Sequence, residues 1–157
     1  CNMHSEVPLM GDIVLASEDA YFQDASHFPR GQVPGDGQHV IWSYLAGHTR
    51  ARYFLLTGMK LGAQEAKEWG VVNEVLPKEK LEDRVWEIAR LLASGPPLVF
   101  AAIKETARVA EALTFQDAMN KVTRRQLATV DALYGSEDNM EGFRAFAEKR
   151  HPVWKGK

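Results

Sequence analysis

A histidine and an aspartate held close together can turn water into a nucleophile, and this chain carries one of each nine positions apart (36 − 27), in the stretch HFPRGQVPGDG. Two prolines and three glycines in that stretch exclude a helix, so His27 and Asp36 sit on a loop. A turn through Pro29, Arg30 and Gly31 would fold His27 back toward Asp36. The pair then makes a general base: His27 takes a proton from water while Asp36 fixes its tautomer and stabilises the imidazolium. Asp36 also stands directly before a helical stretch, where a carboxylate caps free N–H groups. The two roles are compatible, because a helix N-terminus favours the ionised carboxylate that an imidazole needs as a partner.

Other residues invite chemistry less directly. His4 and Glu6, at i and i+2 ahead of a strand, are either a second pair of proton-handling groups or two solvated residues near the start of the chain. Phe28 and Trp42 are the expected substrate-pocket residues, with Trp42 and Tyr44 reading as core or pocket wall. His48 reads as a helix C-terminal residue that complements the dipole. His27, Asp36 and His39 show no recognised ligand spacing, and the single cysteine, Cys1, cannot build a thiolate site, so no metal is expected. Neither G-x-G-x-x-G nor G-x-x-x-x-G-K occurs, and no cofactor is expected.

These residues need elements to hold them. DIVLAS and AYFQD, residues 12–24, read as short strands. After the loop, GQHVIWSYLAG has apolar residues at helical spacing and stops at Gly47. TRARYFLLTG starts at the N-cap candidate Thr49 and stops at Gly58. AQEAKEWG is a short helix and VVNEVLP a strand closed by Pro77. Three longer helices follow: LEDRVWEIARLLAS, PPLVFAAIKETARVAEA with proline in its first turn, and TFQDAMNKVTRRQLATVDALYG behind a Thr-x-x-Asp cap. NMEGFRAFAEKR is the last. The reading is one α/β domain over 1–157, strands and short helices in 1–77 and helices in 78–157.

Nineteen basic and twenty-one acidic residues give a net charge of −2, which leaves no electrostatic footprint for nucleic acid or a membrane surface. The longest apolar run, PPLVFAAI, is too short for a bilayer. With one cysteine and no leader-like segment, a cytoplasmic location is expected. The opening CNMHSEVPLM, a few residues before a strand, reads as cut from something longer.

The ordered motifs LAGHTRARYFLLTG, LGAQEA and WGVVNEVLP, with the closing EGFRAFAEKRHPVWKGK, resemble the crotonase (enoyl-CoA hydratase/isomerase) superfamily. The resemblance implies a spiral of ββα units, its earlier units missing here, and C-terminal helices that assemble a homotrimer or a dimer of trimers. Hydratases of that superfamily use two glutamates. Glu6 stands where the first would be, without its preceding glycines, and His27 holds the place of the second. The amide near Met3 would serve the thioester oxyanion hole. FQDASHFPRGQVPGDGQHVIW looks most like the 6-oxocamphor hydrolase-like, β-diketone hydrolase branch, which cleaves a C–C bond by a retro-Claisen reaction. That likeness implies His27 and Asp36 as the water-activating dyad and His4 as a second active-site histidine, and it offers no late acidic residue near Arg125 or Gln126.

Three functions are therefore carried forward. A C–C bond hydrolase acting on a cyclic or bicyclic β-diketone leads. An enoyl-CoA hydratase or isomerase acting on an acyl-CoA thioester follows, supported by Asp36, which stands where some isomerases keep a catalytic acid. A non-catalytic scaffold is third.

Overall fold

The structure, a computed structural model, describes residues 4–157. Met3, whose amide was expected at an oxyanion hole, lies outside the described residues. The chain divides into two compact units, one running through Glu87 and the other Ile88–Lys157. The boundary falls inside the helix that follows Pro77, and Arg84 on that helix holds both carboxylate oxygens of Glu74, at 2.9 and 2.8 Å.

The first unit is α/β. A four-residue helix α1 (Glu6–Leu9) precedes β1 (Leu15–Ser17) and β2 (Tyr21–Phe22); α2 (Gln38–Ala46) and α3 (His48–Thr57) follow the loop; then come β3 (Leu61–Gly62), α4 (Ala63–Glu68) and β4 (Glu74–Leu76). β1 pairs with β4 in parallel, Leu15 opposite Glu74 and Ser17 opposite Leu76, and β2 pairs with β3 antiparallel. The parallel pair is tied at its entry by Asn73, whose side chain accepts the Val14 N–H at 2.7 Å.

The core of this unit is built on Trp42, fully buried, with Phe54 at a ring-centroid distance of 4.2 Å and Phe22 edge-on at 5.6 Å. Leu9, Leu61, Val71 and Val72 close around these rings. Two expectations fail here for local reasons. Gly47, at φ 77 and ψ 161, ends α2 and opens α3 with no linker, so Thr49 is not the cap. His48 consequently stands first in α3, at the positive end of its dipole rather than at a C-terminus.

The second unit is helical. The helix that crosses the boundary, α5 (Lys78–Ala93), leads into α6 (Pro97–Ala112), α7 (Phe115–Thr123), α8 (Ala128–Gly135) and α9 (Glu137–Glu148). Thr114 accepts the Asp117 N–H at 3.2 Å, the cap its Thr-x-x-Asp pattern announces. The expected single helix from Thr114 to Gly135 is two helices. Arg125 takes a left-handed conformation (φ 52), and the Glu105 carboxylate, from α6, accepts the Thr129 N–H at 2.9 Å and so starts α8 afresh. The closing segment folds back along α9: Asp138 accepts the N–H groups of Lys155 and Gly156, and Glu141 that of Val153, each at 2.8 Å. Among the described residues no helix is long and apolar enough to cross a membrane.

Candidate functional site

The loop expected to carry chemistry is held at both ends. At its start, Asp24 accepts the His27 N–H at 3.0 Å and introduces the single 3₁₀ turn Phe28–Arg30. The Phe28 ring lies over Gly58, where a Cβ would come within 2.7 Å of it; the left-handed φ of 61 at Gly58 is a further reason for glycine there. At the far end the N-cap of α2 is Gly37 rather than Asp36, one residue earlier, whose carboxylate accepts only the N–H of the first helical residue, Gln38, at 3.1 Å.

Around this loop five titratable side chains meet. His27 Nδ1 is 2.9 Å from Asp24 Oδ1, and its Nε2 is 3.8 Å from Asp36 Oδ2. His4 Nδ1 is 2.9 Å from Glu6 Oε1 and 3.9 Å from the same Asp36 oxygen. His27 and Asp36 thus converge as expected, and His4 joins them. The direct carboxylate partner of His27 is Asp24, however; Asp36 stands outside hydrogen-bond range of its ring.

Burial separates the members. The Glu6 side chain is 5% exposed, and its Oε2 has no hydrogen-bond partner among the described residues, whereas the His4 ring is 67% exposed. Burial alone would raise the Asp36 pKa, but the Gln38 N–H, its own N–H and the nearby His27 outweigh that and hold it below the usual carboxylate range. A buried polar ladder supports it from the core: the Trp42 indole donates to Ser5 Oγ at 3.2 Å, and Ser5 donates to Gln38 Oε1 at 3.4 Å.

Trp42 therefore reaches the site through Ser5, from inside the core. Phe28 lines a cleft of about 620 Å³ with Asp24, Val33, His39, Arg52 and Leu55, and Trp42 is not among its lining residues. Tyr44 is exposed. Among the described residues the donors close enough to share a metal are His4, Glu6 and Asp36, whose ligand atoms all lie within 4.8 Å of one another, rather than His27, Asp36 and His39.

Sequence reasoning missed Asp24, Ser5 and Gln38. The first left a trace, since an aspartate three residues before the start of a turn, in DASHFP, is the pattern of a side chain accepting a local N–H. The contact between Ser5 and Gln38 left none, because Ser5 lies more than thirty residues from its partners Gln38 and Trp42.

A profile of the family described as enoyl-CoA hydratase/isomerase matches residues 5–157. Carnitinyl-CoA dehydratase of Shigella flexneri is 34% identical over 152 residues, covering 97% of this chain and 58% of that protein. Among solved structures, an enoyl-CoA hydratase from Bacillus anthracis aligns with a TM-score of 0.85 at 30% identity, over 97% of this chain and 57% of its own. An enoyl-CoA hydratase subunit from Geobacillus kaustophilus HTA426 aligns with a TM-score of 0.84 at 35% identity, again over 97% of this chain and 57% of its own. The chain spans a little over half the length of these relatives.

Proposed function

We propose, from the premise that this chain belongs to the enoyl-CoA hydratase/isomerase family, that its site moves protons on an acyl-CoA thioester, in hydration and dehydration or in isomerisation of a double bond. The observation that carries this reading is Glu6. A carboxyl group that is buried, has one oxygen unpartnered among the described residues and lies within 4.8 Å of a second carboxylate is a proton carrier waiting for a substrate. In hydration, ionised Asp36 takes a proton from water, the hydroxide adds to the β-carbon, and the resulting thioester enolate takes a proton at the α-carbon from the Glu6 carboxyl. Asp36 then gives its proton to solvent, and Glu6 regains one through the exposed His4 ring, whose Nδ1 is 2.9 Å from it.

The carnitinyl-CoA dehydratase and enoyl-CoA hydratase relatives support this reading over the β-diketone hydrolase expected first. One observation still favours the latter as a second reading. The family likeness puts His27 in the place of the second hydratase glutamate, and its Nδ1 contact with buried Asp24 leaves Nε2 to activate water for attack on a ketone. Assembly into a homotrimer or a dimer of trimers remains part of the proposal, supported by the exposed aromatic side chains of α9, Phe143 and Phe146, the latter 88% exposed.

The test is to incubate the complete protein separately with crotonyl-CoA, carnitinyl-CoA and a bicyclic β-diketone. Turnover of a thioester, reduced about 10²- to 10⁴-fold by Glu6→Gln, is the expected result. Cleavage of the diketone with both thioesters untouched would install the second reading. No turnover of any of the three would leave the scaffold.

A further inference from the structure

The His27 ring lies between two carboxylates, and the two do different work. We propose that Asp24 is the positioning residue of this site: it fixes the tautomer and orientation of His27, and Asp36 is thereby free to handle protons of its own. The inference rests on the site described above and holds for either substrate class.

Three observations carry it. Asp24 is the most deeply buried carboxylate of the group, its side chain 2% exposed. Its Oδ1 already accepts the His27 backbone N–H at 3.0 Å and lies within 3.4 Å of the Ser26 hydroxyl, which donates to it, so that oxygen acts as an acceptor. The same oxygen is 2.9 Å from Nδ1, and a nitrogen facing an acceptor at that distance must carry the proton. In the neutral ring the lone pair is then on Nε2.

Asp36 is not arranged for this role. Its Oδ1 is occupied by the Gln38 N–H, and its Oδ2, 3.5 Å from the Gln38 amide nitrogen, stays 3.8 Å from Nε2. An ionised carboxylate facing the bare nitrogen at that separation leaves the intervening proton position for water or substrate, instead of closing it with a direct bond. The backbone and ring contacts of Asp24 also explain the economy of DASH: one oxygen sets both the turn and the imidazole it presents.

The experiment is ¹H–¹⁵N correlation of the side-chain nitrogens in the full chain labelled with ¹⁵N-histidine, the His27 signals identified by their loss in His27→Gln. Expected in the unsubstituted chain, at a pH where the ring is neutral, is the proton on Nδ1 and a bare Nε2. Asp24→Leu, close in shape but without an acceptor, should shift His27 to the Nε2–H form that unrestrained imidazoles favour, and should lower diketone cleavage about 10²-fold with KM little changed, while thioester turnover, in which His27 moves no proton, changes less. Asp36→Asn should leave the Nδ1–H pattern in place. An Nε2–H ring in the unsubstituted chain would overturn the proposal even if Asp24→Leu did not fold, and so would a flip on Asp36→Asn or an unchanged pattern in folded Asp24→Leu. The spectra need no substrate, so a wrong substrate class and a wrong positioning residue give separate failures.

Discussion

Residues up to Glu87 close around large rings, Trp42 and Phe54 foremost, and sink Ser5, Glu6, Asp24 and Gln38 among them; residues 88–157 bury little beyond Ala102, Ala118, Leu127, Val130 and Ala145 and leave Phe115, Phe143 and Phe146 exposed. Buried polar groups are costly unless bonded. In the first unit they form the ladder and ion pairs that hold the site. In the second, the buried polar group is Asp138, and both its oxygens accept backbone N–H groups of the closing segment. The first unit therefore keeps an aromatic core under a polar site with one oxygen unpartnered among the described residues, whereas caps, a carboxylate clamp and small residues hold the second together.

The sharpest way to break this contrast is at its centre. Trp42→Ala should destabilise the first unit by about 3–5 kcal/mol through the cavity it leaves, and should loosen Ser5 and Gln38 along with the core. Urea unfolding gives the loss, and hydrogen exchange should place it at residues 4–87. Uniform loss across both units would merge them into one cooperative body.

Gly58→Ala tests whether the loop is seated on the core. A left-handed alanine is strained and its Cβ would push Phe28 aside, for a cost of about 1–3 kcal/mol. His27 side-chain resonances should shift; if they stay put, Phe28 does not set the ring's position.

In the second unit Thr114→Ala should cost about 1 kcal/mol, a lost N-cap, and fray the start of α7 by hydrogen exchange. A cost near that of Trp42→Ala would mean that this unit has a hidden keystone.

Acid gives the mildest probe. The Arg150 guanidinium and the Val153 N–H pull the Glu141 pKa from the usual 4.5 to about 2. A lowered folded-state pKa stabilises the fold above the unfolded value, so this contribution is complete above pH 4.5 and fades as pH falls toward 2. Protection of α9 and the closing segment should decline over that range while the Trp42 core holds. Loss of the core first would reverse the comparison.

Much of this was legible in the residues. His27, Asp36, His4 and Glu6 were all named from type, spacing and family likeness, and they meet in space. The end of α2 at Gly47, the Thr114 cap and the proline in the first turn of α6 follow from rules that act within a few residues. The missed break at Arg125 has the opposite origin. Nothing near Gln126 announces it, because the group that starts α8 is Glu105 on another helix.

By itself, then, the sequence determined most of the helices and strands, though not α1, β3 or the break between α7 and α8, together with the loop and most of the proton-handling residues, since helix stops, turns and side-chain chemistry are local properties. Tertiary structure decided the pairings. Which carboxylate bonds His27, how far Asp36 stands from it, and that Glu6 is buried with an oxygen unpartnered depend on distances set by packing α1 and α2 around Trp42. Hydrogen bonding falls off within half an ångström, and no spacing along a chain specifies that.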